Sequence, residues 1–181
     1  MATDMFLAFK TDSGPSIKGE SQTTVTYKGV TYQDLLEPSS IAFGVSNPTT
    51  IGSTTGGTGA GKAKFDQFTI TKKVDKASAA FFQYAAGGLH LPEVDLFMRK
   101  AGGTAGAGVI YLVYRFGLVF VTAVAWSDSS GDDAPTEEVT LVFGSLQVAY
   151  TPQNTDGTLN TSDTQTASWS QVVNQATFQT K

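Results

Sequence analysis

The sequence predicts a mainly β fold: a compact β-barrel of two antiparallel sheets, one flanking short α-helix and a long extended loop. Three observations carry that expectation. Val, Ile, Tyr, Phe and Thr recur at period two in segment after segment, the spacing of half-buried strands. Only Ala77 to Ala85 repeats apolar residues at helical spacing. Stretches rich in Ser, Thr, Gly and Pro separate these segments. At 181 residues and 19.1 kDa, the chain reads as one domain over 1–181, long enough to bury a core without covalent staples.

Taken in order, Met5-Phe6-Leu7-Ala8-Phe9 opens as a strand. Val25 to Tyr32 alternates around Gly29, and Phe65 to Val74 places Phe68 and Ile70 on one face. Ala77, Ala80, Phe81, Tyr84 and Ala85 then fall on one helical stripe, ended by Gly87-Gly88. Val94, Leu96 and Met98 alternate with Asp95, Phe97 and Arg99. In the next strand Ile110, Leu112, Tyr114 and Phe116 line one side, while Val109, Tyr111 and Val113 line the other. A small barrel has one inside, so the second face is expected to meet a helix, a loop or another copy of the chain. Val139, Leu141 and Phe143 alternate with Thr140 and Val142, leading on to Leu146, Val148 and Tyr150. Segments 39–62, 102–108, 127–135 and 151–168 read as long loops.

The run Val109 to Trp126 reaches the lower length limit of a membrane-spanning helix. Arg115 and Gly117 interrupt it, however, and its β-branched and aromatic content favours two strands, or one strand bulged at Arg115-Phe116-Gly117. The balance of 12 basic and 16 acidic side chains gives a net charge of −4, which argues against neutralising a nucleic-acid backbone. Having no cysteine, the chain has no disulfide, thiolate metal site or Cys nucleophile. Met1-Ala2-Thr3-Asp4 lacks a basic start and Met5 to Phe9 is too short for the core of a signal peptide, so any export is expected to use another route.

Candidate chemistry fails on residue type. Gly56-x-x-x-x-Gly61-Lys62 matches a phosphate-cradling loop until its last position, where Ala63 replaces the hydroxyl that ligates magnesium; a strand rather than a helix is expected to follow. His90, the single histidine, lies near Glu93 and Asp95 without a nucleophile elbow, and is expected to hydrogen-bond where the helix turns into the next strand. Asp128-Ser129-Ser130-Gly131-Asp132-Asp133 carries oxygen ligands but lacks the periodicity of a calcium loop. Trp126 and Trp169 read as core or interface anchors. No catalytic, cofactor or metal residues are therefore assigned, no cofactor is expected, and the chemistry points to a structural or binding role.

An ordered set of short motifs carries a resemblance. It runs through Met1-Ala2-x-Asp4-Met5-Phe6, Ile17-Lys18-Gly19-Glu20-Ser21 and Gly59-Ala60-Gly61-Lys62. Phe68-x-Ile70-Thr71-Lys72, Asp75-Lys76, His90-x-Pro92 and Arg99-Lys100-Ala101-Gly102-Gly103 follow. Thr136-Glu137-x-Val139-Thr140-Leu141 and Val148-x-Tyr150-x-Pro152-Gln153 come next, with a faint close at Trp169. Over nearly the whole length this resembles the Hcp family, the haemolysin-coregulated tube protein of bacterial type VI secretion systems.

The resemblance implies a non-enzymatic, secreted structural subunit that assembles in the bacterial cytoplasm. It further implies hexameric rings with an open centre, stacked into a tube inside a contractile sheath under a VgrG-type spike, with effectors carried in the lumen and no membrane insertion. Gly44–Lys62 resembles the family's extended loop, which places Gly44, Val45, Ser46, Asn47, Gly59, Gly61 and Lys62 at subunit interfaces. Tyr111 and Val113, on the second face of their strand, are expected to join them. Segment 22–40 looks longer than the family spacing, Phe43 stands where many relatives have Trp, and 127–135 and 154–168 are particular to this chain. The alternatives are a tube protein of a related phage-tail-like contractile injection particle, a monomeric lipocalin-like barrel holding an apolar ligand, and a hydrolase built on His90.

Overall fold

Residues 3–48, 61–100, 108–131 and 133–181 are described by the computed structural model. Its barrel wall is one seven-stranded antiparallel sheet built on the apolar alternations of the sequence. Its path runs from β1 (Asp4–Lys10) to β8 (His90–Lys100), β9 (Val109–Ser127), β10 (Thr136–Tyr150), β7 (Phe68–Lys73) and β4 (Ser40–Ala42). β11 (Gln165–Ser170) joins the second half of β10. Two short hairpins stand apart from this sheet: β2 (Val25–Tyr27) with β3 (Val30–Tyr32), and β5 (Val45–Ser46) with β6 (Lys64–Phe65).

One short segment closes the curl. Leu36 exchanges both backbone hydrogen bonds with Leu7 of β1, at 2.8 and 3.0 Å, and a few residues later the same segment becomes β4 along β7. The segment that leads into one edge of the sheet is thereby bridged to the other edge at Leu7. β9 reaches 19 residues because it bends around the barrel. Its pairing slips between Met98 and Arg99 of β8 and between Thr140 and Leu141 of β10, leaving Tyr111 and Thr122 as extra residues. The bulge therefore does not lie at Arg115-Phe116-Gly117, which pair in regular register with Gln147, Leu146 and Ser145. What Gly117 provides instead is close approach: a Cβ there would stand 1.9 Å from the carbonyl oxygen of Gln179, so the C-terminal tail lies directly on the strand.

Inward-facing rings fill the interior. Phe68 and Phe116 stack at 4.4 Å, and Phe43 meets both edge-on. Leu7, Ile70, Val94, Leu96, Val119, Val139 and Leu141 complete the cluster with no exposed surface. α1 (Ser78–Gly87) adds the buried side chains of Ala80, Phe81 and Tyr84 and ends at Gly88 with φ 62°, the left-handed cap expected there. An interior occupied by side chains leaves no room for the apolar ligand of a lipocalin-like barrel.

The second face of β8 and β9 is covered by the chain itself. Lys28 and Gly29 both take positive φ, 49° and 78°, the turn geometry that matches strand twist in a two-residue hairpin. That turn folds β2 and β3 back so that Tyr32 packs at 4.7 Å and Tyr27 at 5.9 Å from the ring of Phe97. Phe6, Val25, Leu35, Phe97 and Val113 form this second buried cluster. Val113, expected on an open face for another copy, is 2% exposed. The long 22–40 segment is what covers it. β4, β5 and β11 fall where loops were expected, and no helix among the described residues is long and apolar enough to cross a membrane.

Candidate assembly interface

Of the interface residues expected from sequence, Gly44, Val45, Ser46, Asn47, Gly61 and Lys62 lie together on one projecting arm, while Gly59 lies outside the described residues. Val45 pairs with Phe65 and Ser46 with Lys64, and Asp66 N donates to Gly44 O at 2.9 Å. The arm is rooted in the core, because Phe65 stacks on Phe143 at 5.0 Å and Phe43 meets Tyr114 at 4.9 Å. Its outer part is open: the apolar side chain of Val45 is 60% exposed. Tyr111 is half-buried, 6.3 Å edge-on to Tyr150 and 4.5 Å beneath the Lys100 ammonium. Val113 lies behind the β2–β3 hairpin, away from this arm's surface. Other large apolar side chains left exposed among the described residues include Phe82, Phe120, Trp126 and Tyr150. His90 sits with its imidazole 5.8 Å from the ring of Phe120, a packing contact. Gly56 to Ala60 of the phosphate-loop-like run lie outside the described residues, and strands follow it. Among the described residues, no three His, Cys, Asp or Glu side chains gather as metal ligands.

Two ionic clusters that carry no local sequence signal hold these surfaces in place. At the helix start, buried Lys72 Nζ lies 2.7 Å from Glu137 Oε2 and 2.7 Å from Asp75 Oδ1. Ser78 Oγ donates to Glu137 Oε2 at 2.8 Å, and the Trp126 indole donates to Oε1 at 2.9 Å. Asp75 Oδ1 also accepts from Ala77 N at 2.9 Å, so one network ties α1, β7, β9 and β10.

The second cluster lies on the outer face of β1, β8 and β9. Arg115 reaches Glu93 at 2.5 Å and Asp95 at 3.1 Å, Lys10 pairs with Glu93, and Lys10 Nζ stands 3.9 Å from Asp95 Oδ2. The tail closes over it, with Phe178 5.5 Å from the Arg115 guanidinium and Gln179 N donating to Ser145 Oγ at 3.1 Å. Burial, and then the charge of Glu93, push Asp95 up to about 6 against the pull of Arg115. Glu93 feels burial too, but hydrogen bonds from Lys10 and Arg115 hold it below its ordinary value. Burial and the Asp95 charge push the Tyr32 phenol up to about 12.

These shifts have opposite signs in stability. Asp95 binds its proton more tightly when folded, so its contribution is complete below its ordinary value of 3.8 and is lost as pH rises through about 6. Glu93 contributes above its ordinary 4.5 and loses that contribution as pH falls through its lowered folded value. The free energy of unfolding is therefore expected to drop by on the order of 2 kcal/mol between about pH 4.5 and 7, and Asp95→Asn to flatten that slope. Urea titrations across this range check it, and an unchanged slope in the variant contradicts the assignment.

Comparison with known proteins follows the same outline. A family model described as "Type VI secretion system effector, Hcp" matches residues 6–150. Protein hcp1 of Pseudomonas aeruginosa is 38% identical over 96 residues, covering 53% of this chain and 58% of that protein. The matched region thus spans little more than half the length of that relative. The crystal structure of Hcp1 from Salmonella typhimurium superposes with a TM-score of 0.70 at 28% identity, over 98% of this chain and 100% of its own. A structure described as a type six secretion system protein shares the fold at a TM-score of 0.80 and 24% identity, over 97% of this chain and 100% of that one.

Proposed function

Because the chain belongs to the Hcp family of type VI secretion proteins, we propose that it is the structural tube subunit of such a system. It forms hexameric rings that stack into the expelled inner tube. The observation that carries this reading is the family match over 6–150, supported by a fold in common with Hcp1 of Salmonella typhimurium along nearly the whole chain. In this role the molecule makes no bonds; its chemistry is packing. A head-to-tail contact between two different patches closes as a ring when the rotation closes, and the same logic repeated along the axis builds a tube.

The β5–β6 arm is the part we assign to contacts between rings. Gly44, Val45, Ser46, Asn47, Gly61 and Lys62 present it, Gly59 falls in sequence between its strands, and Tyr111 is assigned to a separate subunit contact next to Tyr150. Val113 serves from behind, by holding the β2–β3 hairpin. Assembly takes place in the bacterial cytoplasm, inside a contractile sheath and beneath a VgrG-type spike. Release is through the secretion system, with effectors held in the lumen. Negative-stain microscopy of the purified chain tests the reading: top views are expected to show sixfold rings with a central hole, and fields of isolated single subunits would overturn it.

A further inference from the structure

We propose that the C-terminal segment from Gln171 to Gln179 is a strap that clamps a hinge running across β8, β9 and β10 at Pro92, Leu118 and Gly144. The inference stands on the subunit alone and does not depend on the tube reading.

The hinge is one missing row in the ladder. Leu91 pairs with Val119 and Glu93 with Gly117, which leaves Pro92 and Leu118 without registered partners; Phe143 pairs with Val119 and Ser145 with Gly117, which passes over Gly144. Along a regular strand, residues two apart share a face. Across this row they do not: Leu91, Val119 and Phe143 belong to the core cluster, whereas Glu93 joins the outer ionic cluster and Ser145 meets the tail. Leu118 absorbs the reversal with φ 52°, a left-handed conformation that is costly for a bulky side chain within a strand. On either side of it, Pro92 brings no N–H to the row and Gly144 no Cβ, residue types that suit an interrupted ladder.

The strap meets this row from outside. β10 is bordered by β7 up to Leu141 and by β11 from Ser145, and Gln171 fills the interval. Its backbone N–H donates to Gly144 O at 2.9 Å and its side-chain amide to Phe143 O at 2.7 Å, satisfying acceptors that the interrupted edge leaves open. A Cβ on Gly144 would stand 3.0 Å from Val172 Cγ2 and 3.2 Å from Leu118 Cδ2, so tail and strained residue meet over the same glycine. The chain then turns back, with Asn174 at φ 54° and Ser170 N donating to Gln175 O at 2.9 Å. Gln179 fastens the far end. Its N–H donates to Ser145 Oγ at 3.1 Å, its carbonyl accepts from Ser145 Oγ at 2.5 Å, and its Oε1 accepts from Ser170 Oγ at 2.9 Å. That same carbonyl lies against Gly117, and Phe178 covers Arg115. The strap thus holds β10 on both sides of the missing row and β9 at Gly117, and its release lets the two halves of the wall turn about Leu118. All of it lies beyond residue 150, where the family match ends.

Gly117→Ala tests this in the full-length chain, because its methyl would stand 1.9 Å from Gln179 O and so unseats the strap. Hydrogen exchange followed by mass spectrometry is expected to accelerate about tenfold in peptides covering residues 91–94, 117–120 and 142–145, the scale of one or two lost hydrogen bonds. Residues 5–8 of β1 are expected to exchange as before. The 91–94 peptide decides between a hinge and a loose tail, because among the described residues no hydrogen bond joins it to the strap. Acceleration confined to 171–181 overturns the hinge, acceleration of equal size in β1 means general loosening and overturns it too, and no change anywhere overturns the strap. Gln171→Ala deletes only the side-chain bond to Phe143 O and keeps the test available where Gly117→Ala does not fold. The same three peptides are then expected to respond by about threefold, and an unchanged pattern overturns the proposal.

Discussion

Replacing Lys72 by Met is expected to destabilise the fold by about 3–5 kcal/mol, because it leaves Glu137 buried with its charge uncompensated. The carboxylate keeps donors in Ser78 and Trp126, but neither brings a positive charge. Pairing Lys72→Met with Glu137→Leu is expected to recover much of the loss, since removing both charges also removes their desolvation cost. Equilibrium unfolding in urea of the two single variants and the double variant gives the coupling. Additive losses would mean that the pair is not the linked unit described here. The effect is expected to extend to the start of α1, because Ser78 and Asp75 share the same network.

Phe116→Ala is the second large effect, at about 3–5 kcal/mol, the range for deleting a buried aromatic ring. Phe116 is buried and touches three other rings, stacked on Phe68 at 4.4 Å and edge-on to Phe143 at 4.9 Å and Phe43 at 5.1 Å. Those partners come from β7, β10 and the root of the arm, so a cavity at this point has rigid neighbours on several sides and collapses poorly. Phe116→Leu, which restores much of the volume, is expected to lose less than half as much by the same unfolding measurement. Equal losses in the two variants would contradict the stacking account.

The strands that alternate apolar and polar residues were legible in the sequence, as were the helix between Ala77 and Gly88 and the absence of a nucleotide-loop helix after Lys62. β4, β5 and β11 were not, because short, polar edge strands carry no apolar alternation to detect. The bulges at Tyr111 and Thr122 also escaped, since a bulge is set by the partner strand as much as by the strand that carries it. Lys72 and Glu137 each stand in a motif that carries the family resemblance, yet their pairing is invisible at a separation of 65 residues in sequence; it exists because β7 and β10 are neighbours in the sheet.

The two-faced strand at 109–116 gives the clearest lesson. Its composition showed that both faces need cover, but face counting does not say which segment supplies it. Here the cover is Val25, Tyr27, Tyr32 and Leu35 from the 22–40 segment. An oligomer therefore does not follow from that strand, and the case for rings rests on the family.

Sedimentation equilibrium of the purified chain at micromolar concentration tests that case most directly. A dominant species of six times the 19.1 kDa chain mass is expected. A single 19.1 kDa component that persists as concentration rises would contradict it.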